Sequence, residues 1–319
     1  MRGTRPLFAF VEAMRVRIGT VNMREVNEQR VGLCGLGKMG FPITRRLINA
    51  GRRMAIWNRS IEKAQALELD FAERCFACRT PAELAERVDI VLLCLADGPA
   101  VEDVVFGSSG LAEGTGVKSL TVVDHSTISP AQARSLSIRW RETTGGAWID
   151  APVSGGATGA AAGSLAIFTG GDESTFSEIS PVLAAYAANA TLLGESGAGQ
   201  AAKLVNQTIV MTSVAAIAEA TLLARHAGVD ATRMPAALAG GWADSVLLQT
   251  LQPRMVVAPG QPTGSIRMML KDLDAVEQLA RESGVRLPIA GRVRDWLRRA
   301  VEEGLGDNDI SQVIRVSLT

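Results

Sequence analysis

Arg30-Val31-Gly32-Leu33-Cys34-Gly35-Leu36-Gly37-Lys38-Met39-Gly40 decides how the first half of the chain is read. Val31, Leu33 and Cys34 have the character of a buried strand, and Gly35-x-Gly37-x-x-Gly40 follows at once. Ile43, Leu47 and Ile48 then recur at helical spacing up to a Gly51 stop. Such a glycine pattern carries weight only between a strand and a helix, and both flanks are present. The glycines permit a tight turn, close approach of the backbone to a pyrophosphate, and tight packing of helix on strand. The helix N-terminus then faces the phosphates. Gly35, Leu36, Gly37, Lys38, Met39 and Gly40 are therefore expected to bind a dinucleotide.

The next strand, residues 53–57, ends in Asn58-Arg59. An acid at this point would hold the ribose 2′-hydroxyl of NAD. Neutral Asn58 removes the repulsion toward a 2′-phosphate, and the Arg59 guanidinium can pair with one in bidentate fashion. The pair points to NADP. Helices at 61–69 and 81–87, with a short segment at 71–76 between them, continue the alternation. Asp89-Ile90-Val91-Leu92-Leu93-Cys94-Leu95 is a continuous apolar run, suited to a central parallel strand. Its carboxyl end, with Leu95 and Ala96, belongs beside the cofactor, because ligands bind at that end of such sheets.

Residues 121–124 form the following strand. Ser126 and Thr127 come after it, placed to hydrogen-bond the nicotinamide ribose or the substrate, while His125 reads as a packing residue. Ser129 is an N-cap with Pro130 at the first helical position. A strand at 148–153 runs into a Gly/Ala-rich stretch at 154–164. That stretch is either a plain loop or a nest of backbone N–H groups in which Ser154, Gly155 and Gly156 cradle a carboxylate. A strand at 165–171, a helix at 172–186 and a short strand at 190–193 close this half.

From Glu195 the pattern is helical only. A helix over about 200–227 is mostly apolar, rich in small residues and interrupted by Glu219, which suits a core helix better than a membrane span. Lys203, Asn206, Gln207 and Val210 share one of its faces. A lysine beside an amide on an otherwise apolar helix marks Lys203 as an acid–base candidate. Further helices are expected from 266, over 290–303 and near 309–316. The chain thus divides into an extension at 1–29, a dinucleotide-binding domain at 30–194 and an all-helical substrate and oligomerisation domain at 195–319. The arginine-bearing extension is read as a start codon assigned too early, with Met23 as the true start, and in second place as an organellar transit peptide over 1–22.

Composition narrows the chemistry. Lys and Arg number 33 and so do Asp and Glu, so nothing favours nucleic acid as a partner. With two histidines a multi-histidine metal site is excluded, and Cys75-Phe76-Ala77-Cys78 has no second pair to complete a zinc site. No metal is expected, and the four cysteines read as reduced thiols. Tyr186 has Ala190 four residues on, so no Tyr-x-x-x-Lys relay exists.

Taken together these stretches resemble the β-hydroxyacid dehydrogenase family over roughly residues 30–315. Its first signature is similar to residues 31–42, its substrate signature to Asp150-Ala151-Pro152-Val153-Ser154-Gly155-Gly156 through Gly163. Its catalytic signature matches Gly199, Lys203 and Asn206, and a Lys-Asp-Leu motif matches Lys271-Asp272-Leu273. The resemblance implies an α/β Rossmann-like N-terminal domain and an all-α C-terminal domain joined by a long helix. It implies Lys203 as the acid–base group, Asn206 as its orienting and substrate-binding partner, and Ser154, Gly155 and Gly156 as carboxylate holders. Ser126 and Lys271 would contact the cofactor, NADP by preference and NAD as the alternative. Homodimers or homotetramers, a small carboxylate-bearing substrate, no membrane partner and a cytoplasmic location complete the expectation. Ile266 stands where the family often has an aromatic, which suggests a differently shaped pocket around it and Trp242. Imine reductases share the fold but usually lack the lysine, so Lys203 argues against imine chemistry. The alternatives are a 3-hydroxyisobutyrate-type dehydrogenase using NAD and, from another class, a non-catalytic nucleotide-binding assembly module.

Overall fold

The computed structural model describes residues 29–115, 117–260 and 262–316. The extension over 1–28, with Met23, lies outside them.

Six parallel strands make the main sheet: β1 (Val31–Cys34), β2 (Met54–Trp57), β3 (Cys75–Ala77), β4 (Ile90–Leu93), β5 (Thr121–Asp124) and β6 (Ala147–Asp150). Their spatial order is β3-β2-β1-β4-β5-β6. Helices α1 (Gly40–Asn49), α2 (Ile61–Asp70), α3 (Pro81–Ala85), α4 (Gly98–Phe106) and α5 (Pro130–Thr144) alternate with them. Every residue of β1, β4 and β5 is buried, because both sheet faces are covered. The two-residue period of β1 divides them: Val31 and Leu33 join the core on one face with Ile43 and Leu47, and Cys34 joins the other with Val91 and Trp140. Gly32 leaves room for Leu84 and Val88, which a Cβ there would strike. Strand order reverses between β1 and β4, which opens a crevice at their carboxyl ends.

Two local expectations needed correction, and one helix was not anticipated. The expected single strand at 148–153 is two, in different sheets: β6 stops at Asp150, and β7 (Val153–Ser154) pairs antiparallel with β8 (Leu165–Thr169). Pro152 lies at the corner, where it has no N–H to give a ladder. The Gly/Ala stretch is neither loop nor pure nest but a short helix, α6 (Gly156–Ala162). Alanine is the strongest helix former, and Gly163 at φ 72° ends the turn. Helix α4 had no place in the sequence reading; Asp97 caps it through Ala100 N at 2.9 Å, with a proline in its first turn. Helix α7 (Glu173–Leu183) and β9 (Ala187–Leu192) complete the second sheet, β7-β8-β9.

Helix α8 (Ala198–His226) then runs for 29 residues. No side chain at its own N-cap, Gly197, satisfies the first N–H groups. The Asp150 carboxylate does so from the end of β6, accepting from Gly197 N at 2.7 Å and Gln200 N at 2.9 Å. An anion at that end also meets the positive pole of the helix. One side of α8 buries Leu204, Met211, Val214 and Ile217 against α10 (Val246–Val256), α11 (Ile266–Glu282) and α12 (Pro288–Ala300). A short helix, α9 (Met234–Leu238), precedes α10. By length and composition alone α8 could cross a membrane, but this buried side makes it the central helix of the helical half. Its outer side exposes Val205, Ile209 and Leu223.

Candidate active site

The glycine turn after β1 forms the cofactor end of the crevice. Gly35 has φ 102°, a left-handed conformation that favours glycine. A Cβ on Gly40 would collide with the Gly35 carbonyl oxygen, so this glycine lets α1 start directly under the turn. A Cβ on Gly37 would meet nothing within 4 Å, which leaves that side of the turn clear. Asn58 does more than follow β2: its Oδ1 accepts from Leu36 N at 2.9 Å and its Nδ2 donates to Ser60 O at 3.0 Å. It therefore ties the end of β2 to the glycine turn, while Arg59 beside it is exposed. Lys38 reaches the helical half, donating to Pro262 O at 3.3 Å. An open turn, an unobstructed Gly37 and an exposed guanidinium fit a phosphorylated dinucleotide.

Further along the crevice, Leu95 N donates to Ser126 Oγ at 3.0 Å, joining the ends of β4 and β5. Ser126 is buried and its N–H donates to Asp124 Oδ1 at 2.9 Å. Its hydroxyl thus has a structural partner, and the O–H proton is what it has left to donate. Burial pushes the Asp124 carboxyl up to about 7, against the hydrogen bonds from Ser126. His125 is held by Ala151 O at 2.6 Å and Tyr186 OH at 2.8 Å. Burial depresses it to about 4, so it is neutral and engaged, as a packing residue should be.

Helix α8 brings Lys203 to the crevice with 8% of its surface exposed. Burial pushes its ammonium below the ordinary lysine range, and Asp272 opposes the shift. Asp272, on α11, is itself 5% exposed. Burial raises its carboxyl, while Lys271, Lys203 and the Gln207 hydrogen bond pull it back. Burial therefore works against the charge on both Lys203 and Asp272, and their attraction, added to that of Lys271 at 3.9 Å from Asp272, works for it. Gln207 Nε2 donates to Asp272 Oδ2 at 2.6 Å, and Asn206 Nδ2 donates to Gln207 Oε1 at 3.1 Å. Asn206, Gln207 and Asp272 are thus linked by hydrogen bonds, with Lys203 electrostatically coupled to Asp272, between the mostly apolar α8 and the inner face of the amphipathic α11.

Lys271, the neighbour of Asp272, points across the crevice to Ala96 O at 3.4 Å and Thr127 O at 3.5 Å, long for hydrogen bonds. Ser154 ends β7, and Gly155 and Gly156, with φ of 124° and 63°, carry the chain into α6. Asp272 and Gln207 were not singled out from the sequence as site residues. The available signal was a carboxylate at the spacing of Met269, Leu273 and Val276 on the inner face of an amphipathic helix. Ile266 does not shape the pocket, since it is wholly buried in the helical core. Trp242, in the loop after α9, is fully exposed.

This arrangement is a dinucleotide turn facing a buried lysine and amide across a crevice. It defines an NAD(P)-binding dehydrogenase acting on CH–OH groups. Residues 30–194 match the family described as the NAD binding domain of 6-phosphogluconate dehydrogenase. Residues 197–317 match the NAD-binding domain of NADP-dependent 3-hydroxyisobutyrate dehydrogenase. The chain is 33% identical to 2-hydroxy-3-oxopropionate reductase of Escherichia coli, over 90% of this chain and 96% of the relative. A solved 3-hydroxyisobutyrate dehydrogenase from Salmonella typhimurium superposes with a TM-score of 0.80 at 29% identity, covering 90% of this chain and 99% of that one. A solved complex with NADP+ and 2-OPP gives 0.78 at 25% identity, covering 89% and 99%. The chain belongs to the β-hydroxyacid dehydrogenase family.

Proposed function

We propose that this protein is an NADPH-linked reductase of small semialdehyde acids, in the class of 2-hydroxy-3-oxopropionate, glyoxylate and succinic semialdehyde. The carrying observation is Lys203, a buried lysine coupled to Asp272, one turn along α8 from the Gln200 side chain that binds the loop after β5. The substrate class is supported by the Escherichia coli relative's name, and the cofactor by Asn58-Arg59 and by the NADP-dependent family matched at 197–317.

When bound, NADPH supplies the hydride. Lys203 as ammonium gives its proton to the substrate oxygen as that oxygen becomes an alkoxide; in the reverse direction its neutral form takes the hydroxyl proton. Asn206 orients Lys203 and binds the substrate, and Ser154, Gly155 and Gly156 hold the carboxylate. Gly35, Leu36, Gly37, Lys38, Met39 and Gly40 hold the pyrophosphate, Leu95, Ala96, Ser126 and Lys271 line the nicotinamide end, and Arg59 meets the 2′-phosphate. Loss of NADPH absorbance on adding a panel of small aldehyde acids tests the reading. A protein that binds the nucleotide but turns over none of the panel is an assembly module instead.

The likeness to 3-hydroxyisobutyrate dehydrogenase favours a second reading, oxidation of such an alcohol with NAD. Arg59→Ala separates the two. A charge-assisted contact is worth about 1.5–3 kcal/mol, so the mutant should lose roughly 10–100-fold in its NADP-to-NAD efficiency ratio. An unchanged ratio removes the role given to Arg59. Gly37→Ala tests the cradle itself. With nothing near the added methyl, the melting temperature should hold. NADPH affinity should fall, by the overpacking cost of about 1–3 kcal/mol, because the methyl occupies the side left clear for phosphate. Unaltered affinity in a titration would move the phosphates away from Gly37.

A further inference from the structure

We propose that Gln200 is a positioning residue for the reaction, holding Lys203 in register with the strand-end loop that receives the cofactor. The inference rests on the role given to Lys203 above. Gln200 is 0% exposed, and both ends of its side-chain amide are used. Nε2 donates to Ser126 O at 2.7 Å, and Oε1 accepts from Ile128 N at 3.2 Å. Its own backbone N–H is held by Asp150 Oδ2 at 2.9 Å.

These bonds continue in both directions. Ser126 takes Leu95 N on its hydroxyl and gives its N–H to Asp124, so the ends of β4 and β5 are fastened to one another. Gln200 fastens that joined loop to the first turn of α8, and Asp150 fastens the same turn to β6. Lys203 stands three residues beyond Gln200, one turn along the helix. The turn that carries Lys203 is therefore tied directly to the Ser126–Ile128 segment by this buried amide, and indirectly through Asp150 and the β6–β5 ladder. Lys271 also reaches that loop, at the Thr127 carbonyl, but only at 3.5 Å. A displacement of about 1 Å between reacting groups costs on the order of 100-fold in rate. The clamp thus matters to catalysis beyond its share of stability.

Gln200→Leu keeps the bulk and removes both amide contacts. Gln200→Glu keeps an acceptor for Ile128 N; ionised, it faces the Ser126 carbonyl with a second acceptor, and protonated, it can donate as the amide does. Both are made in the full chain and assayed with NADPH and the aldehyde acid turned over fastest. For Gln200→Leu, kcat should fall roughly 10–100-fold, with KM and NADPH affinity near wild type. For Gln200→Glu, the ratio of its kcat to that of wild type should rise as pH falls, which a space-filling role would not produce. A Gln200→Leu kcat within about twofold of wild type overturns the proposal, as does a Gln200→Glu ratio that is flat with pH. Lys203→Ala run alongside separates the two levels. If it stays active, the catalytic assignment falls and Gln200 falls with it. If it is inactive while Gln200→Leu is not, the positioning role alone is lost.

Discussion

Lys203→Ala should cut kcat by roughly 10²–10⁴-fold, the range for losing a positioned proton donor, while NADPH still binds. The glycine turn proposed to hold the nucleotide lies in the part of the chain that matches an NAD-binding domain, residues 30–194, and Lys203 lies beyond it. Lys203→Arg should not rescue it, because a guanidinium stays protonated and cannot exchange its proton near working pH. The pH profile carries the sign. Burial lowers Lys203 from the usual lysine range, with Asp272 opposing. Reduction needs the ammonium, so its kcat should fall as pH rises through this lowered value; oxidation needs the amine and should rise through it. Asp272→Asn removes the opposing carboxylate, so both limbs should move to lower pH. Near-full turnover by Lys203→Ala would refute the catalytic assignment, and limbs moving to higher pH in Asp272→Asn would refute the counter-charge.

The parts of this site that could be read from the chain are those whose logic is local. Gly35, Gly37 and Gly40 announce a turn because strand and helix flank them within a few residues. Lys203 and Asn206 are legible for a similar reason: helical periodicity places them together and apolar neighbours make the charge conspicuous. What escaped depends on partners far along the chain. Asp150 caps α8 across 47 and 50 residues, Gln200 binds its loop across 74 and 72, and Gln207 meets Asp272 across 65. No spacing rule reaches that far, since the polar residue alone does not reveal what will pack against it. The 154–164 stretch failed for another reason. Its glycines and alanines allow turn and helix alike, and the choice falls to packing, with Gly159 and Ala160 turned inward.

Gly199→Ala should both destabilise the protein and slow it, although Gly199 bears no chemistry. A Cβ there would lie 2.5 Å from Phe168 O, 2.6 Å from Asp150 O and 2.9 Å from Asp150 Oδ2. Two of these are backbone atoms of β8 and β6, so the strand ends cannot swing aside as a flexible side chain could. The first turn of α8 must move instead. Overpacking of this kind costs about 1–3 kcal/mol, and each kcal/mol lowers Tm by about 2–4 °C in a domain of this size class. The moving turn also carries the two N–H groups that Asp150 holds, and Lys203 is four residues further on. A thermal melt and a kcat measured well below Tm therefore report one displacement twice. Gly37→Ala, with open space around its new methyl, is the contrasting case: cofactor affinity lost at constant Tm. If Gly199→Ala kept its Tm within about a degree and its kcat unchanged, the close seating of α8 on the sheet would not be what this glycine is for. The glycine of the catalytic signature belongs, on this argument, to the fit between helix and sheet, and catalysis depends on it because the lysine rides on that helix.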